Sequence, residues 1–379
     1  MPTNLPSQSA ETARYAWADH LIWMEGGEPA ESRPKETRWP GIVVMLALAA
    51  LAFAVGWGIR ETGWSRATLL DPILLSMLLG LAVGNFIAGT ELLSGASFTV
   101  RKLLPLGIIL LGARMDFFEA LRIGVPGLVM SLGVVVLSVG SLLCLGKWLG
   151  LDHKMALLLG IGTGICGGTA IVAVAPLMKA RENHVLICVG LVTMLGLGAM
   201  VLLPLLSGWL GLSEAQFGLL AGLTIHQTPQ VIAAGFAVGE EAGQVATVAK
   251  LSRVCLLAPV AVLLGWWMSR NEIKITARKK PWYRLVPGFA IGFLLVALGK
   301  TFGLFPEISL EWEMTGFDFD SASLLKGTST FLLAAGMVGV GFQTRISQAR
   351  EVGWRPLAAS LAASLFITAV VLFAVRAFF

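Results

Sequence analysis

The chain has 379 residues, 56% of them hydrophobic and only 13% charged. Its mean hydropathy of +0.79 is far from that of soluble domains, where charged residues make up about a quarter. That much apolar surface excludes a soluble enzyme or a soluble binding module. The net charge of +5 does not signal nucleic acid either, because the basic residues sit in short loops between apolar stretches, where they set membrane orientation.

Residues 1–40 carry Pro2, Pro6, Pro29 and Pro34 among scattered charges and lack the pattern of a signal peptide. They read as a polar cytoplasmic tail in which Tyr15–Met24 could form a short interfacial helix. From residue 41 to 379 the chain reads as one transmembrane domain. Eleven apolar stretches, each near the ~20 residues that cross a bilayer, fall at about 41–59, 69–88, 103–121, 124–147, 154–178, 184–207, 215–238, 245–268, 282–303, 322–344 and 353–377. With the N-terminus inside, 16 basic residues fall on the cytoplasmic side and 9 on the other, where Lys179 and Arg181 are counted. The expected class is an all-α polytopic membrane protein of about 11 transmembrane helices, N-terminus in and C-terminus out.

Transporters are often built from repeats of inverted orientation. At a constant offset of 229 the third and fourth stretches align with the tenth and eleventh, pairing Leu104 with Leu333, Gly107 with Gly336 and Gly124 with Gly353. An inverted repeat is expected there.

Two stretches carry the chemistry. Residues 160–176, GIGTGICGGTAIVAVAP, place five glycines within nine positions. Such a cluster either lets another helix approach closely or unwinds the helix inside the membrane, which is tolerated only where the backbone is buried in protein or lines a cavity. A half-helix starting near Gly168 and Thr169 would present free N–H groups suited to an anion. A literal dinucleotide fingerprint, Gly162, Gly164 and Gly167 followed by Glu182, is rejected because no strand precedes it. The second stretch, GLTIHQTPQVIAAG at 222–235, sets His226, Gln227, Thr228 and Gln230 around Pro229. These polar groups are costly in lipid unless they face a cavity or one another, and proline interrupts the helix. His226 is either a proton carrier or a neutral, hydrogen-bonded structural histidine.

Lys250 and Arg253 lie on one helix face, and either snorkel to the interface or line the site. No Asp or Glu falls in the central third of any stretch, which disfavours a cation substrate. The four cysteines show no metal-ligand or disulfide spacing, and no metal or cofactor is expected.

The motifs GTGICGGTAIVAVAP, GLTIHQTPQVIAAG and KLSRVCLLAPV (250–260) resemble the bacterial YeiH-type family, labelled sulfate exporters and grouped with the bile-acid/sodium symporter-like superfamily. The resemblance spans roughly 41–379. It implies inverted repeats, a panel and a core domain, and two crossing broken helices. One would carry Gly164–Thr169, and the tenth stretch, with Gly327, Thr328, Ser329 and Gly336, would be its partner.

The leading reading is a multi-pass secondary transporter of a bacterial inner membrane that moves a small anion of the sulfate, sulfite or organosulfonate class by alternating access. Thr163, Cys166, Gly167, Gly168 and Thr169 would form one wall of its site, His226, Gln227, Thr228 and Gln230 the other, with Lys250 and Arg253 adding charge. Coupling to Na+ or H+ and assembly into a homo-oligomer are left open. A passive anion channel is the alternative, and an intramembrane enzyme using Cys166 with His226 is a third reading. No catalytic role is expected.

Overall fold

The computed structural model describes residues 38–61, 71–86, 90–270, 288–304, 309–312, 317–344 and 352–379. The 15–24 helix and all but the last three residues of the expected 1–40 tail lie outside this set. The helices are α1 (Trp39–Glu61), α2 (Pro72–Phe86), α3 (Thr90–Phe98), α4 (Leu104–Leu111), α5 (Phe117–Leu149), α6 (His153–Gly164), α7 (Gly168–Val174), α8 (Glu182–Leu210), α9 (Glu214–Thr224), α10 (Thr228–Val238), α11 (Glu240–Cys255), α12 (Leu257–Arg270), α13 (Gly288–Thr301), α14 (Ser321–Gln343) and α15 (Trp354–Phe378). A π-helical turn, Thr99–Leu103, joins α3 to α4. A small antiparallel hairpin of β1 (Ser309–Trp312) and β2 (Phe317–Asp320) precedes α14. Among the described residues seven helical spans are long and apolar enough to cross a membrane. The protein is an all-α polytopic membrane protein. The third stretch begins at Thr90 rather than near 103, because the polar residues Thr99, Arg101 and Lys102 are carried through the π-helical turn.

The helices form two groups. In the first, α14 packs along α2 and α4, with α1, α3 and α13 beside them. Small residues let main chains touch: a Cβ on Gly80 would collide with the Val338 backbone, one on Gly84 with Phe342, and one on Gly341 with Met77. Glycine is therefore required at these crossings. In the second group α11 packs against α5, α9 and α10, while α6 and α15 pack on α5 and α8 packs on α6 and α10. Val125, Val129, Leu132 and Val136 of α5 point outward at spacings of three and four, the stripe of a helix facing lipid. The stretches aligned at offset 229 are neighbours in both groups, α4 against α14 and α5 against α15.

The two motif-bearing stretches do not cross the membrane. Asp152 starts α6 by accepting the amides of Lys154 and Met155, and α6 runs beside α5, with Gly160 against Val139 and Gly164 against Ser138. Twelve residues reach only ~18 Å. The chain then reverses: Gly167 takes φ +75°, its N–H bonds Gly162 O at 2.9 Å, and Ile171 folds back over Gly162. In a continuous helix residues 162 and 171 would stand about 13 Å apart. The return ends where it began, since Lys154 Nζ bonds Lys179 O at 3.2 Å and His184 Nδ1 lies 3.7 Å from Asp152.

The second stretch is a hairpin too. A capping box of Ser213 and Gln216 starts α9, which runs alongside α11, Gly218 meeting Ala242 and Gly222 meeting Ala246 and Ala249. After Ile225–Gln227, α10 begins with Pro229 in its first turn, where a missing N–H costs nothing. It returns antiparallel to α11, bringing Gly235 onto Gly243. At its mouth the Glu214 carboxylate sits against Gly239 and accepts the Ala242 N–H at 3.4 Å.

Because α8 runs between them, the hairpins enter from opposite faces, α6–α7 from the face of Leu149 and α9–α10 from the face of Glu240. This differs from the expectation of full crossings at 154–178 and 215–238. It moves Lys179 and Arg181 to the face of Lys154. The partner of the Gly164–Gly168 break is also corrected: it is the Ile225–Gln227 break, whereas α14, which holds Gly327, Thr328, Ser329 and Gly336, is one uninterrupted helix.

The hairpins make a sided prediction. Single cysteines at His153 and Lys179 should react with an impermeant maleimide from one face of sealed vesicles, and cysteines at Ser213 and Glu241 from the other. Labelling of 153 and 179 from opposite faces would restore the crossing helix.

Candidate functional site

The hairpin tips meet inside the protein. A Cβ on Gly167 would lie 2.9 Å from Gln227 Cγ and 3.3 Å from His226 O, so tip one approaches tip two with no room for a side chain. Ending two helices here leaves the last carbonyls of α6 and α9 without intrahelical partners. In a membrane interior water does not supply them.

Lys250 and Arg253 of α11 supply the donors. Both are fully buried. Lys250 Nζ donates to Ile165 O at 3.0 Å, Ile225 O at 2.9 Å and His226 O at 2.6 Å, which uses all three ammonium hydrogens. Arg253 Nε donates to Gly164 O at 3.0 Å, Nη1 to Gly222 O at 3.2 Å and Ile225 O at 3.3 Å, and Nη2 to Thr163 O. The C-terminal end of a helix carries partial negative charge, so two such ends and two cations attract each other. Neither cation snorkels, and no carboxylate among the described residues forms an ion pair with either.

The remaining motif residues surround this clamp. In tip one, Cys166 Sγ lies 2.7 Å from Thr169 Oγ1, and Thr169 is partly exposed while Gly167 and Gly168 are buried. In tip two, Gln227 Nε2 donates to Thr193 Oγ1 at 2.6 Å and Gln230 Nε2 to Thr193 O at 2.9 Å. Gln230 Oε1 accepts the Gln227 N–H at 3.3 Å, closing the first turn of α10. Gln227, Thr228 and Pro229 are partly exposed. His226 Nε2 pairs with Ser364 Oγ at 3.2 Å. Its Nδ1 and the Thr163 hydroxyl are buried without a hydrogen-bond partner, two polar atoms that a bound solute could satisfy.

All eleven residues expected at the site therefore converge on the two tips and the clamp. Sequence reasoning missed Thr193, Ser364 and Gly196. A Cβ on Gly196 would collide with the Gln230 amide. Their signal is slight, a lone hydroxyl or glycine in an apolar helix. Among the described residues no cluster of His, Cys, Asp and Glu suits a metal ion.

The family described as conserved hypothetical protein 698 matches residues 40–360. The chain is 33% identical over 339 residues to a UPF0324 membrane protein of Pseudomonas aeruginosa, covering 86% of this chain and 90% of the relative. The chain belongs to the UPF0324 membrane proteins. Another UPF0324 member, TauZ of Paracoccus denitrificans, is 35% identical over 342 residues, with 89% and 94% covered, and one from Bacillus cereus is 30% identical over 329 residues, with 86% and 91% covered. This membership agrees with the YeiH-type resemblance of the motifs. No solved structure matches the chain.

In this UPF0324 chain the clamp sets a stability prediction. Arg253→Met is close in volume but strips three carbonyls, Thr163, Gly164 and Gly222, of their side-chain donor while Ile225 O keeps Lys250, and should cost about 3–5 kcal/mol, read as a large loss of apparent melting temperature in detergent. Arg253→Lys should recover only part of it, since an ammonium offers three hydrogens around one point and does not reproduce the planar fork that spreads the guanidinium donors over Thr163, Gly164, Gly222 and Ile225. An unchanged melt in Arg253→Met would mean the carbonyls find other donors.

Proposed function

We propose that this UPF0324 chain is a secondary transporter that moves a small anion of the sulfate, sulfite or organosulfonate class across a bacterial inner membrane by alternating access. The observation that carries this is the pair of fully buried cations, Lys250 and Arg253, with no carboxylate among the described residues in ion contact. A net positive charge inside a membrane domain is expensive. The carbonyl ends of α6 and α9 offset part of it, and a bound anion would offset the rest. The starts of α7 and α10 add main-chain N–H groups that favour negative charge. Thr169 and Thr228, partly exposed at those starts, are the hydroxyls nearest such a solute, with Cys166 and the free edge of His226 behind them.

Opposed hairpins suit alternating access. Each tip is tied to α11, so the second helical group carries both tips together past the first group, whose glycine-packed helices hold a fixed frame. The positive residues on the face of Lys154, now including Lys179 and Arg181, support a cytoplasmic assignment for that face and for the N-terminus. The motif residues offer no evident cage for Na+, and His226 is a buried group suited to moving H+. An enzymatic reading finds less support, because Cys166 faces Thr169 rather than His226 in hydrogen bonding.

Purified protein in liposomes should take up labelled sulfite or sulfate saturably and in exchange for the same anion inside. Thr169→Val and Thr228→Val should lower uptake at least about tenfold, a loss of ~1.4 kcal/mol in binding, with the fold intact by melting. Stabilisation by a cation or a neutral solute, with none by any oxyanion, would overturn the anion reading. Unitary currents in a planar bilayer would replace the carrier with a channel.

A further inference from the structure

We infer that Glu240, with Arg114 and Lys326, forms a reversible ionic gate that closes the Glu240 face of the protein. The inference rests on the alternating-access reading.

The three residues come from both helical groups. Arg114 ends the short 3-10 turn Gly112–Arg114 that follows α4, and Lys326 lies in the first turns of α14, so both belong to the glycine-packed frame. Glu240 opens α11, directly after the returning arm of the second hairpin, and belongs to the group that carries the site. Both of its carboxylate oxygens are engaged: Arg114 Nη1 lies 2.9 Å from Oε1 and Lys326 Nζ 3.0 Å from Oε2. Arg114 Nη2 donates to Lys326 O and the Thr330 hydroxyl, which fixes the guanidinium to the frame. The same guanidinium stands 5.9 Å over the Phe236 ring in the last turns of α10. One frame residue thus grips the hairpin arm and the helix that bears Lys250 and Arg253.

The exposure of the three side chains matches the role. Arg114 is 7% exposed, Glu240 41% and Lys326 56%, so the bridge is anchored in the frame by the buried Arg114 while Glu240 and Lys326 meet water. Ion pairs in contact with water are individually weak, which lets such a bridge break and reform. Beneath it the two groups meet through apolar side chains, Ala233 and Ala237 of α10 falling in the same buried cluster as Leu111, Leu333 and Met337 of the frame. Apolar contacts of this kind slide, and the ionic bridge is the directional element that marks one end of the travel. Here that end is shut, so a solute at the tips has no exit past Glu240 until the bridge opens.

The test places a reporter under the bridge. Ala237→Cys, 7% exposed, is labelled with an impermeant maleimide from the Glu240 face of sealed vesicles, and its rate is read by peptide mass spectrometry so that native cysteines do not interfere. Glu240→Gln should raise that rate at least about threefold, as expected when a closed population loses its tie. Lys326→Met should raise it less, and the swap of Arg114→Glu with Glu240→Arg should bring it back towards the parent rate. An unchanged or lower rate in Glu240→Gln, in protein that melts and elutes as the parent does, would overturn the gate. If Glu240→Gln alters the fold, Lys326→Met decides the question in the same way, because its removal leaves the Arg114 bond in place. The labelling needs no substrate: a bridge-dependent rate in vesicles that transport no anion would leave the gate standing as a conformational joint and sink the transport reading alone.

Discussion

Two polypeptide hairpins that stop halfway through a membrane create a problem of unpaired carbonyls, and the arrangement of the second helical group follows from how that problem is solved. A continuous helix pairs its own main chain. A helix that ends at mid-depth exposes its last carbonyls to a medium that offers no donors, at several kcal/mol for each one left unpaired. Lys250 and Arg253, one turn apart on α11, meet the carbonyls of Thr163, Gly164 and Ile165 from one face and of Gly222, Ile225 and His226 from the other. Because one helix serves both ends, the tips are locked to each other through α11.

That lock dictates the small residues around it. Gly167 has to be glycine twice over, for its positive φ and because Gln227 and the His226 carbonyl leave no space for a Cβ. Gly222 lets α9 lie against Ala249 and Lys250 closely enough for the ammonium to reach the carbonyls beyond it, and Gly196 makes room on α8 for the Gln230 amide. Glycine weakens a helix by about 1 kcal/mol relative to alanine. In these places it permits buried charge-assisted hydrogen bonds that are each stronger than that loss.

Much of this is legible in the sequence and one essential part is not. The glycine cluster at 160–168 and the polar run around Pro229 announce breaks, because neither composition sustains a helix in lipid. The direction of the chain after each break is not announced. Hydropathy measures whether a stretch is long enough to cross, and 154–178 and 215–238 both are; it carries nothing about reversal. Reversal is decided by contacts distant along the chain, Ile171 against Gly162 and Lys154 against the Lys179 carbonyl, which the residue types do not announce. The three-residue spacing of Lys250 and Arg253 places them on one face, but their acceptors are main-chain oxygens, which leave no trace in side-chain identity. The same limit hides Thr193 and Ser364, each a single hydroxyl that becomes informative only once Gln227 and His226 are seen beside it.

The charge at the tips then separates structure from cargo. Six carbonyls saturate the ammonium and most of the guanidinium, so in the proposed transport Lys250 and Arg253 would act on an anion through the field they set up rather than by direct contact. What faces outward from the clamp is the opposite end of each broken helix, the N–H groups at the starts of α7 and α10 with Thr169 and Thr228 beside them. Cations behind and amide hydrogens in front point the same sign of potential at one place. A carboxylate-lined site would reverse that sign, and none among the described residues approaches the clamp. The constraint that draws Lys250 and Arg253 into the membrane to satisfy the hairpins is therefore the one that makes the neighbourhood of the tips favourable to negative charge, so that in the proposed transporter the fold and the preference for an anion would share one electrostatic origin.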